Sequence, residues 1–157
     1  MNTLKGIPKT KEAGIYMIFN LDNKKTYIGA TKNLHDRARK HAYDLKAKRH
    51  QSKEMQNDFS LGNRMRFVVL ERVESNISNE EIRNREWLYM LAFDDKGYEL
   101  YNKKESIKQI KKLLFYCFVK KEMHKIQRKL YEDMGIHLYG MRWSKAETVE
   151  QTLTQNL

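Results

Sequence analysis

The stretch GIYMIFNLDNKKTYIGATKNLHDRARKH, residues 14–41, decides the local fold of this chain. Two short runs of β-branched and aromatic residues, 15–19 and 26–28, flank a turn-forming Leu-Asp-Asn-Lys segment, which predicts a β-hairpin. The pattern then becomes helical, because Thr31 or Asn33 can cap a helix and neither proline nor glycine interrupts the residues that follow. The sequence therefore predicts a hairpin that leads into a helix.

Four side chains in this stretch are candidates for a functional site. Tyr16 and Tyr27 lie on the two predicted strands, and Arg37 and His41 follow on the predicted helix. Because Arg37 and His41 are four residues apart, they share one face of that helix. One interpretation is an ordinary hairpin with packed tyrosines and a solvated arginine and histidine. The other is a site that gathers all four side chains.

The spacing of these motifs resembles that of the GIY-YIG nuclease family, in particular its phage and homing-endonuclease catalytic domains. The triplets Gly14-Ile15-Tyr16 and Tyr27-Ile28-Gly29 are intact with ten residues between them, and Arg37 and His41 stand where the family's first helix carries them. The resemblance covers roughly residues 12–102. It implies an α+β fold in which helices flank a three-stranded antiparallel sheet.

The rest of this region is interpreted from composition and period. Residues 1–12 are basic and are predicted to form a loosely structured leader. Residues 67–73 are rich in β-branched residues and predict a third strand, buried on both faces for part of its length. Ser78 or Asn79 can cap a second long helix, and residues 98–102 predict a short extended segment.

The hydrophobic period changes near residue 103 and divides the chain in two. Residues 1–102 are predicted to form the nuclease-like domain, and 103–157 a basic helical C-terminal extension that the resemblance does not cover. Apolar residues from Ile107 to Met134 are spaced for one long helix, or for two helices broken near 119–121. This apolar stripe can pack on its own domain or against a second protomer.

The composition favours a polyanionic partner. Lysine and arginine number 31 against 20 aspartate and glutamate, a formal net charge of +11, and such residues gain free energy on phosphates by releasing counterions. Charge alone also fits simple solubility, and it does not separate DNA from RNA or an anionic membrane. The single cysteine, Cys117, excludes an internal disulfide. No apolar run has the length of a signal peptide or membrane span, so we expect a soluble protein in the cytoplasm of a bacterium or phage-infected host.

The resemblance assigns chemical roles to the four candidates. Tyr16 matches the tyrosine proposed in the family as general base toward water, and it needs help because an unperturbed tyrosine has a pKa of about 10. His41 is a candidate to take or share its proton. Arg37 can stabilise the phenolate and contact the scissile phosphate. Tyr27 would hydrogen-bond that phosphate or the attacking water.

Three residues outside the stretch complete the implied site. Glu86 matches the family's metal-binding glutamate and would hold Mg²⁺ (or Mn²⁺), although local sequence alone favours a solvated helix residue. Asn102 matches a late asparagine that orients the site, with a turn asparagine as the alternative. His50 matches a further functional histidine of the phage enzymes, with a solvated loop histidine as the alternative.

The sequence therefore predicts a Mg²⁺-dependent DNA endonuclease of the homing or phage type that leaves 5′-phosphate and 3′-hydroxyl ends. The alternatives are a restriction or repair nuclease, an RNA nuclease, and a catalytically inactive DNA-binding module. We expect a monomer without membrane or protein partner. The basic residues expected to bind nucleic acid are Lys108, Lys111, Lys112, Lys121, Lys125, Arg128 and Lys129.

Overall fold

The computed structural model describes residues 2–102, 107–110 and 116–134. A four-stranded sheet is flanked by helices in a mixed α/β fold. The strands are β1 (Leu4–Lys5), β2 (Ala13–Asn20), β3 (Thr26–Thr31) and β4 (Met65–Val73). The helices are α1 (Leu34–Lys46), α2 (Lys53–Ser60), α3 (Asn79–Asp95) and α4 (Tyr116–Met134), and residues 107–110 are also helical.

The sheet has four strands in the order β1-β4-β2-β3, and the expectation of three is wrong. The added strand lies in the segment predicted to be a loose leader, where Leu4 pairs with Met65 in a parallel register. Leu4 is buried, and the Asn2 side chain donates to the carbonyls of Phe59 and Asn63. A two-residue strand is too short to show a periodic pattern, because its stability comes from pairing with β4 and not from local sequence.

The predicted hairpin is confirmed. Strand β2 pairs antiparallel with β3, so that Tyr16 lies directly opposite Gly29. Helix α1 begins after Asn33, whose side chain accepts a hydrogen bond from the N–H of Asp36. Its buried residues recur at helical spacing, at Leu34, Ala38, His41 and Leu45.

Helices cover both faces of the sheet, and β2 is buried along its whole length. Its side chains alternate between the faces. Ile15, Met17 and Phe19 join a core cluster with α3 and α4, which we call the α3–α4 face. Tyr16 and Ile18 join a second cluster with α1 and α2, which we call the α1–α2 face.

A β-bulge interrupts the pairing of β2 with β4. Ile15 pairs with Glu71, whereas the next residue, Tyr16, pairs with Val69, so Leu70 is the extra residue. The Glu71 side chain accordingly points to the α3–α4 face. Its carboxylate accepts hydrogen bonds from two residues of α3, Arg85 Nη1 at 2.6 Å and Tyr89 Oη at 2.9 Å.

The apolar stripe that follows residue 103 packs on the protein's own domain. Ile107, Ile110, Met123 and Leu130 belong to the same core cluster as the buried residues of α3. Helix α4 runs through 119–121 without a break, which removes the alternative of two helices separated there. Lys111 and Lys112 lie outside the described residues. None of the helices that the structure describes is long and apolar enough to cross a membrane.

The outer edge of β3 is covered by the extended segment predicted at 98–102. The N–H of Thr26 donates to the Glu99 carbonyl at 3.0 Å, and the N–H of Tyr101 donates to the Thr26 carbonyl at 2.8 Å. Asn102 continues this edge with its side chain, because Oδ1 accepts from the Ile28 N–H at 2.9 Å and Nδ2 donates to the Ile28 carbonyl at 2.8 Å.

Candidate active site

The predicted site residues meet around the phenol oxygen of Tyr16, in the middle of β2. Arg37 Nε donates to Tyr16 Oη at 3.0 Å, and His41 Nε2 lies 2.8 Å from the same oxygen. The spacing of four residues on α1 delivers both groups from one helix face. The Tyr16 ring stacks on Phe67 with centroids 4.6 Å apart and is fully buried, so its hydroxyl has a fixed position.

Gly29 provides the space that this hydroxyl occupies. A Cβ atom at Gly29 would overlap the oxygen and ring of Tyr16 across the strand pair. The glycine of the other triplet, Gly14, is constrained differently, since a Cβ there would overlap the carbonyl oxygen of Glu71 on β4. One glycine therefore admits a functional side chain and the other admits a neighbouring strand.

His41 connects Tyr16 to His50, which lies in the loop between α1 and α2. His41 Nδ1 and His50 Nε2 are 2.8 Å apart, and the two rings stack with centroids at 5.1 Å. His50 Nδ1 in turn accepts from the backbone N–H of Ser52 at 3.1 Å. Both histidines are buried. The alternative in which His50 is a solvated loop residue is therefore wrong.

Gln56 is a buried residue of this site that the sequence interpretation missed. Its Oε1 accepts from the backbone N–H of His50 at 3.1 Å, and its Nε2 donates to the Leu45 carbonyl at 3.0 Å. Gln56 thereby joins the end of α1 to the loop that carries His50. The available signal was its place beside Met55 on the inner side of a short helix, where an amide needs buried partners.

Burial sets the ionisation of these groups. It is the main cause that raises the pKa of the Tyr16 phenol above its usual range, while Arg37 acts in the opposite direction. Burial, with Arg37 and His50 adding to it, lowers the pKa of His41 to about 3. Burial also lowers the pKa of His50. The two histidines are therefore neutral near pH 7.

Tyr27 lies at the border of a cavity of about 300 Å³. Its hydroxyl accepts a hydrogen bond from Gln51 Nε2 at 2.9 Å, and burial raises its pKa. The cavity also brings together Glu86 from α3 and Asn102 from the edge segment; its full lining is Tyr27, Gln51, Ser52, Glu86, Trp87, Met90, Tyr101 and Asn102.

Glu86 faces this cavity as an unpaired carboxylate. Among the residues that the structure describes, it makes no hydrogen bond or ion pair to a protein group, and burial raises its pKa to about 7 against the opposing effects of Arg37 and Arg83. Within that same part of the chain, no three His, Cys, Asp or Glu side chains form a metal-binding cluster. A single carboxylate beside open space fits Mg²⁺, which keeps several of its waters, and does not fit a fully protein-ligated ion.

A second cavity of about 280 Å³ lies beside the two histidines. Arg37, Lys40 and Arg49 border it, together with His41, Asp44, His50 and Gln51. Asp44 pairs with Lys40 and Arg49, each at 3.0 Å. The charged side chains of this cavity carry more positive than negative charge, which suits a phosphate group next to Arg37.

The residues expected to bind nucleic acid lie apart from Tyr16. Lys121, Lys125 and Arg128 are exposed on α4, which packs over the α3–α4 face, and Lys108 is exposed on the preceding helical residues. Lys129 Nζ is 4.0 Å from the Glu71 carboxylate. The structure thus brings Tyr16, Tyr27, Arg37, His41, His50, Glu86 and Asn102 to one region. The basic residues that it describes, Lys108, Lys121, Lys125, Arg128 and Lys129, lie on other elements.

Comparisons with known proteins identify a family and two similar structures. A family model described as the GIY-YIG catalytic domain matches residues 12–102. A solved structure of a mutant of the catalytic domain of intron endonuclease I-TevI is 28% identical, with a TM-score of 0.50, over 56% of this chain and 90% of that one. A structure of the catalytic domain of homing endonuclease I-TevI is 31% identical, with a TM-score of 0.47, over 56% of this chain and 97% of that one.

The curated proteins include no match to this chain. The family model nevertheless spans more than half of the sequence and covers every residue gathered around Tyr16 and the adjoining cavity. Both triplets lie in one antiparallel strand pair, with Tyr16 opposite Gly29. This chain therefore belongs to the GIY-YIG family and carries an endonuclease catalytic domain.

Proposed function

We propose that this protein is a Mg²⁺-dependent DNA endonuclease of the homing or phage type, with Tyr16 as its general base. The observation that supports this function best is the buried Tyr16 oxygen, which Arg37 and His41 approach at 3.0 and 2.8 Å. Burial raises the pKa of this phenol, and the hydrogen bonds and the nearby Arg37 cation partly offset that effect and stabilise the phenolate once it forms. A phenolate can accept a proton from an attacking water.

Phosphodiester hydrolysis also requires stabilisation of the phosphate charge. The Arg37 guanidinium uses Nε for Tyr16 and also interacts with the Tyr27 hydroxyl, and its remaining N–H groups can donate to a phosphate oxygen. Tyr27 borders the cavity with its hydroxyl held by Gln51, and would orient the same phosphate or the water. In-line attack would then place the negative charge between Arg37 and the Glu86 side of the cavity.

Glu86 would hold the metal ion. A Mg²⁺ or Mn²⁺ ion bound there would stabilise the leaving oxygen, which would give 5′-phosphate and 3′-hydroxyl ends. Asn102 has a supporting role, since its two hydrogen bonds to Ile28 hold the backbone between Tyr27 and Gly29. A cation would also restore the ionised form of Glu86, which burial disfavours.

A plasmid cleavage assay tests this function. We expect the protein to cut plasmid DNA with Mg²⁺, to stop on addition of EDTA, and to lose cleavage in Glu86→Gln without loss of fold by circular dichroism. Glu80→Gln is the matched control, because Glu80 is exposed in the first turn of the same helix. Cleavage that persists in Glu86→Gln with unchanged Mg²⁺ dependence would show that Glu86 is not the ligand.

The same assay separates the alternatives. A catalytically inactive DNA-binding module would bind the plasmid and never cut it, whereas the arrangement around Tyr16 and Glu86 leads us to expect cleavage. An RNA nuclease would prefer RNA of the same sequence. Sequencing the cleavage ends from random or genomic DNA would distinguish a homing specificity from a restriction or repair activity.

We also propose that the protein acts as a monomer that nicks one strand first. One chain carries one Tyr16 and one Glu86, and the two strands of a duplex are antiparallel, so a single site cuts one phosphodiester at a time. The described apolar residues of α4, Met123, Ile126 and Leu130, pack in the same cluster as α3, which favours packing within one chain. Supercoiled plasmid should pass through an open-circle form before linear product, and linear product without that intermediate would contradict this proposal.

A further inference from the structure

The hydrogen bond from the Ser52 N–H to His50 has a fixed direction. A backbone N–H can only donate, so His50 Nδ1, 3.1 Å away, must accept and cannot carry a proton. The remaining proton of a neutral His50 is therefore on Nε2. This observation determines a tautomer from heavy atoms alone, which imidazole positions ordinarily do not permit.

The same direction passes along the chain of contacts to Tyr16. Protonated His50 Nε2 donates to His41 Nδ1 at 2.8 Å, so the proton of a neutral His41 is on its Nε2, 2.8 Å from Tyr16 Oη. We propose that the Ser52 N–H is a positioning group that fixes both histidines as Nε2–H tautomers, and thereby makes His41 a hydrogen-bond donor to Tyr16 and not an acceptor of its proton. We call the Ser52 N–H, His50, His41 and Tyr16 Oη the histidine relay.

Charged forms of the histidines do not fit this relay. An imidazolium at His41 would point its Nδ1–H at the Nε2–H of His50. The charged groups that face the two rings are Arg37, Lys40 and Asp44 from α1 and Arg49 from the following loop, and on balance they oppose a further positive charge. Tyr16 and Tyr27 from the sheet and Gln56 from α2 are neutral neighbours.

The relay changes the interpretation of Tyr16. Arg37 Nε–H and His41 Nε2–H both donate to Tyr16 Oη, so neither can remove its proton. The phenol proton must leave toward water or substrate, and the resulting phenolate receives two donors that are already in place. This role in catalysis rests on the proposed function, whereas the tautomers of the relay do not.

The surrounding structure holds the donor rigidly. Ser52 is the N-cap of α2, with φ of −82°, and Gln56 fixes the backbone of His50 from the same helix. Proline accepts a φ close to this value and lacks an N–H, so Ser52→Pro removes the donor. Ser52→Ala removes the capping hydroxyl and keeps the N–H, which makes it the matched control.

Two-bond ¹H–¹⁵N spectra of the ¹⁵N-histidine-labelled full chain test the tautomers directly. We expect His41 and His50 both to be neutral Nε2–H tautomers at pH 7, with assignments from His41→Gln and His50→Gln. An Nδ1–H tautomer or an imidazolium at either residue would overturn the proposal. This measurement does not depend on cleavage, so it stands even if the protein proves not to cut DNA.

Variants at Ser52 and His41 test what the relay does. In Ser52→Pro, His50 should populate both neutral tautomers, because the donor that fixes one of them is gone. This variant should cleave about tenfold more slowly than Ser52→Ala, since the hydrogen bond from His41 to the Tyr16 phenolate is then formed only part of the time. His41→Gln, whose amide can donate but cannot take a proton, should cleave at least about tenfold faster than His41→Ala. Equal cleavage rates for His41→Gln and His41→Ala would overturn the relay. Equal cleavage rates and equal His50 tautomers for Ser52→Pro and Ser52→Ala would also overturn it. If Ser52→Pro does not fold, the wild-type spectra and the His41 pair decide.

Discussion

The two faces of the sheet use buried polar groups in different ways. On the α1–α2 face, Tyr16, His41 and His50 are joined by consecutive hydrogen bonds in the middle of the packed cluster. On the α3–α4 face, a cluster of buried hydrophobic side chains extends across α3 and α4, and the buried Gln127 amide donates to the Ala92 carbonyl at 3.3 Å. The Glu71 carboxylate on this face accepts hydrogen bonds from Arg85 and Tyr89.

This difference indicates where the protein is stabilised and where it does chemistry. Buried polar groups cost free energy unless their hydrogen bonds are satisfied. On the α1–α2 face that cost accompanies the groups proposed to carry out the chemistry, while the α3–α4 face provides apolar burial. Changes to the buried groups around Tyr16 should therefore reduce mainly the rate of cleavage, and changes to the apolar cluster of α3 and α4 should reduce mainly the free energy of unfolding. Glu86, which borders the cavity from α3, belongs with the first group.

The largest expected effect is that of Tyr16→Phe. Removal of the hydroxyl should lower single-turnover cleavage by about a hundred- to ten-thousand-fold. The protein should stay folded because the ring still stacks on Phe67, although Arg37 and His41 lose their acceptor at a cost of about 1–3 kcal/mol. Tyr43→Phe is the control, because Tyr43 is 59% exposed on the same α1. Activity of Tyr16→Phe within a few-fold of wild type would refute its role as base.

Gly29→Ala should follow, with a loss of about a hundredfold, the typical effect of a misplaced catalytic group. The new Cβ would displace the Tyr16 hydroxyl. Gly14→Ala is the comparison on the other triplet, where the new Cβ meets the Glu71 carbonyl. Compared with Gly29→Ala, this variant should lose more unfolding free energy and less of the cleavage rate. Denaturant unfolding midpoints and cleavage rates should be measured for both variants. If the loss of stability relative to the loss of rate is the same in Gly29→Ala and Gly14→Ala, the two glycines do not have different roles.

On the α3–α4 face, Glu71→Gln should destabilise the fold by about 1–3 kcal/mol, because the charged acceptor of Arg85 and Tyr89 is removed. The Glu71 side chain is only 11% exposed. Urea unfolding measures the change, with the exposed Glu74→Gln as a control expected to stay within about 0.5 kcal/mol of wild type. A Glu71→Gln variant of unchanged stability that cleaves slowly would reverse the assignment of the two faces.

The cleavage rate should rise with pH between 6 and 9, by at most about tenfold per pH unit for each ionising group. The pKa of Glu86 is raised to about 7 and that of Tyr16 is also raised, so the ionised forms of both increase with pH. His41, with a pKa of about 3, adds no titration in this range. Single-turnover rates would test this, and a flat profile with chemistry rate-limiting would contradict it.

The smallest effect concerns the exposed basic residues of α4. Replacement of Lys121, Lys125 and Arg128 by glutamine should weaken DNA binding and reduce the slope of log K against log salt by up to about 2.7, at about 0.9 for each lost phosphate contact. Lys5, Lys9 and Lys11 are exposed near the N-terminus, and their replacement is the charge-matched control. Equal changes in both variants would indicate a general effect of net charge and no dedicated surface on α4.

The sequence predicted the parts of the site that depend on local spacing. The hairpin formed by β2 and β3 was predicted, and so was the shared face of α1 that carries Arg37 and His41; the structure adds that both reach the Tyr16 oxygen. The two predicted features follow from periods of two and 3.6 residues, so they can be derived without the tertiary structure.

Other features depend on contacts between distant segments and could not be predicted. The pairing of Leu4 with Met65 leaves no periodic signal in either segment. The bulge at Leu70, which directs Glu71 to α3, depends on the register of β2 with β4. The buried role of Gln56 requires the end of α1 and the His50 loop to meet at one amide.

The segment that covers β3 also bears on how this protein avoids aggregation. An open edge strand presents unpaired N–H and C=O groups that can template a second chain. Here the backbone of 99–101 satisfies Thr26 and the Asn102 amide satisfies Ile28, while the opposite edge of the sheet is a strand of only two residues. The site asparagine therefore also protects the edge of the sheet, and Asn102→Ala would expose the Ile28 amide and carbonyl to strand addition by another copy.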